Sequence, residues 1–137
     1  MSYLLFMDES GHDHRNMPYE VHGGIAIHAS RVWSFVQQMR ALEQEAYGAY
    51  LHTFQTEIKG RKLLDKDRYK WAVQETELMP DVARRHHALA FLKKKLTGET
   101  PSRNEFTAYG QASLMAARGV FRLLHEHGCV LFASAVP

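Results

Sequence analysis

At 137 residues, with 45% apolar and 23% charged residues and a formal net charge of +2, the chain has the size and composition of one globular domain with a real core. That composition excludes disorder and collagen-like structure, and no stretch approaches the roughly 20 apolar residues that span a bilayer. The single cysteine, Cys129, has no partner for an internal disulfide and points to a reducing, cytoplasmic compartment.

Charge is unevenly spread. Residues 1–60 hold four Lys/Arg against seven Asp/Glu, a net of −3, whereas residues 61–95 hold ten against five, a net of +5. An acidic end followed by a basic middle suits a cation site beside a phosphate-binding surface, although solvated helix faces give the same pattern.

Taken in chain order, Tyr3-Leu4-Leu5-Phe6-Met7 is a continuous apolar run, the pattern of a strand buried on both faces. It is too short for a signal-peptide core, and Asp8-Glu9-Ser10-Gly11 follows at once, with Gly11 permitting a turn. After a polar loop from His12 to Glu20, Val21–Ala29 reads as a second strand. Gly23-Gly24 within it allows a bulge or a close backbone approach. A hairpin is the simplest pairing. Ser30 is placed as an N-cap, and Val32, Phe35, Val36, Met39 and Leu42 recur at helical spacing up to a stop at Gly48. His52–Lys59 alternates, with Phe54, Thr56 and Ile58 on one face and Gln55, Glu57 and Lys59 on the other, and predicts a short strand ending at Gly60.

The middle reads as helical. One helix is expected from Asp65 to before Pro80. A second runs from Asp81 towards Gly98, with Val82, Leu89, Leu92 and Leu96 on one side and Lys93–Lys95 suiting the negative pole of the helix dipole. Ser102-Arg103-Asn104-Glu105 is a capping box that opens a third helix, in which Gly110, Ala112, Ala116 and Gly119 permit close packing. Cys129–Val136 is another apolar run, predicted to lie adjacent and parallel to the first strand. Without repeats or linkers, the chain reads as a single mixed α/β domain. It is expected to be incomplete at its C-terminus, because no later element covers the last strand.

The residues with chemistry to offer are few. Asp8 ends an apolar strand on the face of Leu4 and Phe6, with Glu9 on the other face. An ionised carboxylate there needs a partner. A divalent cation with a taste for oxygen, Mg²⁺ or Mn²⁺, is one; backbone N–H groups around Ser10-Gly11 are the alternative. Glu57 and Lys59 resemble half of the PD-(D/E)xK nuclease pattern, in which carboxylates hold a metal and a lysine steadies the attacking water. The same pair also reads as an exposed ion pair. His12, Asp13 and His14 form a polar loop that flanks the Asp8 turn and lacks the ligand count of a zinc site. His86, His87, His125 and His127 are read as partly exposed helix residues. Ser10 has no base at fixed spacing, which argues against a serine nucleophile.

Taken together, Tyr3 to Gly11 with its D-E-S-G ending, Gly23-Gly24-Ile25-Ala26 and Glu57-Ile58-Lys59-Gly60 resemble the prokaryotic family catalogued as domain of unknown function 3800. The resemblance implies a ribonuclease H-like fold and, by analogy, Mg²⁺- or Mn²⁺-dependent cleavage of nucleic acid. Asp8 and Glu57 would be metal ligands and Lys59 a further catalytic group, with Glu9, Ser10 and His12 flanking the site. Arg61, Lys62, Lys66, Arg68 and Lys70 follow directly and would hold the phosphate backbone. The family's members carry a further acidic residue beyond the point where this chain ends. The reading from a different class is an inert ribonuclease H-like module that binds nucleic acid or a protein partner.

Overall fold

A hairpin opens the chain. In the computed structural model, which describes residues 2–11, 15–63 and 65–137, strand β1 (Tyr3–Ser10) pairs antiparallel with β2 (Glu20–His28), Tyr3 opposite His28 and Ser10 opposite Val21. The turn leaves β1 through Gly11 at φ +97°, a conformation that L side chains rarely adopt. Strand β3 (Val130–Val136) adds to the other side of β2, also antiparallel, giving the order β1-β2-β3. Gly24 is needed at the centre of this sheet. A Cβ there would strike the carbonyl oxygen of Phe6 and come within 3.0 Å of the Phe132 ring.

Two compact units result, Met1–Val36 with Arg122–Pro137, and Gln37–Phe121. The first holds the sheet. The second holds the helices α2 (Gly60–Leu63), α3 (Lys66–Ala72) and α4 (Asp81–Thr97), together with most of α1 (Val32–Tyr47) and α5 (Arg103–Glu126). No helix is long and apolar enough to cross a membrane among the described residues.

The core of the helical unit is organised on α5. Ala108, Ala112 and Ala116 are fully buried, and around them pack Tyr47, Leu51, Ala88, Phe91 and Leu92. The small residues act as expected. A Cβ on Gly110 would lie 2.6 Å from the Ala72 nitrogen and 2.7 Å from the Arg68 carbonyl oxygen, so α3 rests directly on the backbone of α5. Gly119 likewise gives way to the Leu42 side chain. The capping box forms: Ser102 Oγ accepts from the Glu105 N–H at 3.3 Å and Glu105 Oε2 accepts from the Ser102 N–H at 2.9 Å. Asp65 caps α3 by accepting from the Asp67 N–H at 2.7 Å, and α4 ends at Gly98 with φ +78°.

Several expectations are corrected. β1 and β3 are not neighbours. Each bonds to β2, one on either side, so they share a direction but stand one strand apart. Neither is covered on two faces: Leu4 to Met7 are 45–60% exposed, and Val130 and Leu131 are also exposed. Ser30 is not an N-cap; it lies inside a 3₁₀ turn, Ala29–Arg31, whose own cap is His28, with Nδ1 accepting from the Ser30 N–H at 3.2 Å.

His52–Lys59 is not a strand. Leu51–Phe54 is a 3₁₀ turn held into the core by buried Leu51, and Gln55 then reverses the chain with φ +53°. Helix α3 stops at Ala72, well before Pro80, because Gln111 from α5 takes over the backbone. Its amide donates to the Ala72 carbonyl at 3.2 Å, and its Oε1 accepts from the Met79 N–H at 2.9 Å. The buried stripe of α4 is Arg84, Ala88, Phe91 and Leu92, whereas Val82 and Leu96 face water. His127 is buried, its ring 2.8 Å from the Leu123 carbonyl and edge-on to Phe35.

Candidate functional site

Asp8 stands near the end of β1, opposite Gly23, which in turn stands opposite Ala133. Paired residues of an antiparallel ladder share a face, so the cross-strand neighbours of the carboxylate are a glycine and an alanine. They leave open space beside it. Asp8 Oδ1 accepts from the Glu9 N–H at 2.8 Å. Among the described residues, no Lys, Arg or His nitrogen lies within 4.0 Å of this carboxylate. The backbone contact of the alternative reading is thus present, on the neighbouring residue rather than around Ser10-Gly11, and it uses one oxygen of the two.

Glu9 points to the other face and meets His22, its partner in the register, at 3.9 Å; His22 also pairs with Glu20 at 3.2 Å. The three offer ligand atoms within 4.8 Å of one another. Exposed acidic groups gather in this way without any ion. The hairpin register would have revealed it, since Glu20 and His22 lie two apart on one strand and Glu9 lies opposite. Ser10 is the last residue of β1, opposite Val21. His12, with Asp13 and His14, lies outside the described residues.

Glu57 and Lys59 belong to the helical unit, whereas Asp8 belongs to the sheet unit. They do form a pair, Nζ to Oε1 at 3.1 Å, with both side chains more than half exposed. They occupy the irregular segment before α2 rather than a strand. Of the basic residues that follow, Arg61 and Lys62 lie on α2, and Lys66, Arg68 and Lys70 on α3. Of these five, Lys62 and Arg68 line the cleft described next.

This cleft, of about 350 Å³, opens in the helical unit. Its floor is aromatic: Phe91 and Tyr109 stack with centroids 4.1 Å apart, and Trp71 and Phe54, both half-buried, form its walls. Its rim is cationic, with Lys62, Arg68 and Lys95 and no carboxylate. The Arg68 guanidinium lies 5.1 Å over the Tyr109 ring, a cation–π contact. Burial raises the Tyr109 phenol above its usual pKa, and Arg68 opposes that rise. A smaller hollow of about 310 Å³ contains Glu57 and Lys59 and shares Gln55, Thr56 and Lys62 with the cleft. The shared wall is the one described position where a residue other than glycine takes positive φ, Gln55, a conformation costing on the order of 1–3 kcal/mol that the surrounding fold must hold in place.

Lys95 and the aromatic residues were not legible as site residues. Lys95 reads in sequence as a helix-end lysine, and it joins Lys62 and Arg68 only because α4 and α3 both pack on α5. No family model, no curated protein and no solved structure matches this chain.

Proposed function

We propose that the protein is a Mg²⁺- or Mn²⁺-dependent nuclease, or a related phosphoryl-transfer enzyme acting on nucleic acid, built on a ribonuclease H-like sheet. The observation that carries this reading is Asp8, a carboxylate on a sheet strand with small cross-strand neighbours and no cation from the described residues to neutralise it. The donor chemistry fits. Mg²⁺ and Mn²⁺ prefer oxygen, and Mg²⁺ in particular is commonly held by one or two carboxylates, with water and substrate phosphate completing the shell. Bound there, the cation would supply the positive charge that phosphodiester cleavage needs at the attacking and leaving oxygens.

The protein's own groups have separable tasks. Asp8 holds the cation, and Glu9 and Ser10 shape the end of the strand that carries it. Glu57 is a second candidate ligand, and Lys59, 3.1 Å from it, is the candidate to steady the attacking water. The cations Arg61, Lys62, Lys66, Arg68 and Lys70 attract the phosphate backbone. Calorimetric titration with Mn²⁺ tests the reading. Heat of binding in the wild type that disappears in Asp8→Asn supports it, and equal binding in both proteins removes Asp8 from the site. If neither protein binds Mn²⁺, the inert nucleic-acid- or protein-binding module replaces the enzyme.

A further inference from the structure

The cleft of the helical unit carries an inference that the metal chemistry does not require. We propose that it is a nucleotide-binding subsite: an aromatic base enters against Trp71, Phe91 and Tyr109, and its phosphate is held at the rim by Lys62, Arg68 and Lys95. The inference deepens the nuclease reading and rests on it for the source of the nucleotide, a single strand of nucleic acid.

Four features of the cleft converge. Its volume, about 350 Å³, falls in the range of roughly 300–1,000 Å³ typical of small-molecule sites. Its floor is aromatic and its half-buried wall is Trp71, and aromatic rings are the surfaces on which bases stack regardless of sequence. Its three cations come from three elements, α2, α3 and α4, and no acid lines the cleft. Among the described residues, none of the three is in a salt bridge. Clustered like charges without counter-ions repel one another, and a phosphate relieves that repulsion.

The cleft is also built rather than incidental. Glycine at 110 lets α3 sink onto α5, which places Arg68 over the Tyr109 ring and Trp71 against Phe106, with centroids 4.9 Å apart. Gln55, held at positive φ, forms part of the lining at the end where the Glu57–Lys59 hollow begins. A strand whose base occupies the cleft therefore continues towards that pair.

Lys93 provides the contrast, because it shares α4 with Lys95 but does not line the cleft. If basic charge alone mattered, it would contribute as much as the three cations of the rim. If the cleft is the subsite, Lys62, Arg68 and Lys95 dominate.

The experiment uses the whole chain in EDTA, so that binding is read without metal. Trp33→Phe removes the exposed second tryptophan and leaves Trp71 as the only tryptophan, excited at wavelengths where tyrosine does not absorb. Thymidine monophosphate, a short oligothymidylate and inorganic phosphate are titrated in turn. The expected result is quenching of Trp71 by the first two, with inorganic phosphate binding at least tenfold more weakly. Tighter binding of the oligothymidylate than of the monophosphate identifies a strand as the source, and equal binding identifies a free nucleotide and overturns the strand assignment. Lys95→Met, at an exposed position, should weaken nucleotide binding about tenfold, and Lys93→Met, also exposed, less than twofold. Arg68→Lys keeps the charge and should bind more weakly through loss of the planar contact with Tyr109. The subsite is overturned if neither nucleotide quenches Trp71, or if Lys93→Met weakens binding as much as Lys95→Met. Either failure leaves the Asp8 reading standing, since that depends on Mn²⁺ and cleavage and not on this fluorescence.

Discussion

Arg84 shows how a charged side chain can be a structural member. It is 7% exposed, and its guanidinium donates to the carbonyls of Ala46 at 3.2 Å and Glu45 at 2.8 Å and to Asp81 Oδ1 at 2.5 Å. Those carbonyls belong to the last turn of α1, which lacks intrahelical donors for them. Arg84→Met should therefore keep much of the packing but lose about 2–3 kcal/mol in a urea melt, through the unsatisfied groups it leaves behind. Its partner sets a pH dependence. The hydrogen bond from Arg84 and its charge hold the Asp81 carboxyl below its ordinary value of 3.8. At Glu105 burial alone would raise the pKa, but Lys94 at 2.9 Å and the Ser102 N–H outweigh it and bring it below 4.5. Depressed carboxyl values mean that the stabilisation is complete above the unfolded values and is lost as pH falls through the folded ones. Thermal melts should thus be flat with respect to these two groups near neutrality and decline in acid below about pH 4.5. Glu105→Gln should flatten part of that decline.

At the scale of elements, sequence and structure agree best where a local signal is strong. The β1–β2 hairpin, α4 from Asp81 to Gly98 and the start of α5 at its capping box follow from alternation, a glycine stop and S-x-x-E. Ser102→Ala should accordingly cost about 1 kcal/mol, the usual worth of a lost N-cap, read from the urea midpoint. The misread elements have a common cause, which is long-range contact that no local pattern encodes. Alternation in His52–Lys59 reads as a strand, yet Leu51 is drawn into the helical core and, among the described residues, the segment pairs with no strand. The periodic region from Asp65 to Pro80 is cut short by the Gln111 side chain, which lies far along the chain. The adjacency of β1 and β3 fails because two apolar strands separated by helices can join a sheet on either side of a third. Site residues followed the same rule. Asp8 stood out because a carboxylate after an apolar run is a local anomaly, whereas Lys62, Arg68 and Lys95 converge only in three dimensions.

For the whole molecule, burial is concentrated in the helical unit and the sheet is open. Ala108, Ala112 and Ala116 on α5 are completely buried, whereas β1 and β3 are the outer strands of the sheet, each hydrogen-bonded only to β2 among the described residues. Hydrogen exchange should therefore be slowest in the middle of α5 and faster by orders of magnitude at the outward-facing amides of β1 and β3. Uniform protection across sheet and helices would contradict that ranking. The functional account draws on Asp8, near the end of β1 in the sheet unit, and separately on the cationic aromatic cleft of the helical unit. The measurement that tests it most directly is cleavage of single- and double-stranded DNA and RNA oligonucleotides with Mn²⁺, in the wild type and in Asp8→Asn. Asp8 is exposed, and an asparagine Oδ1 still accepts the Glu9 N–H, so the variant should melt within about 0.5 kcal/mol of the wild type. The account predicts Mn²⁺-dependent cleavage of at least one substrate by the wild type and none above background by the equally folded variant. Equal cleavage by both proteins, or none by either, would contradict it.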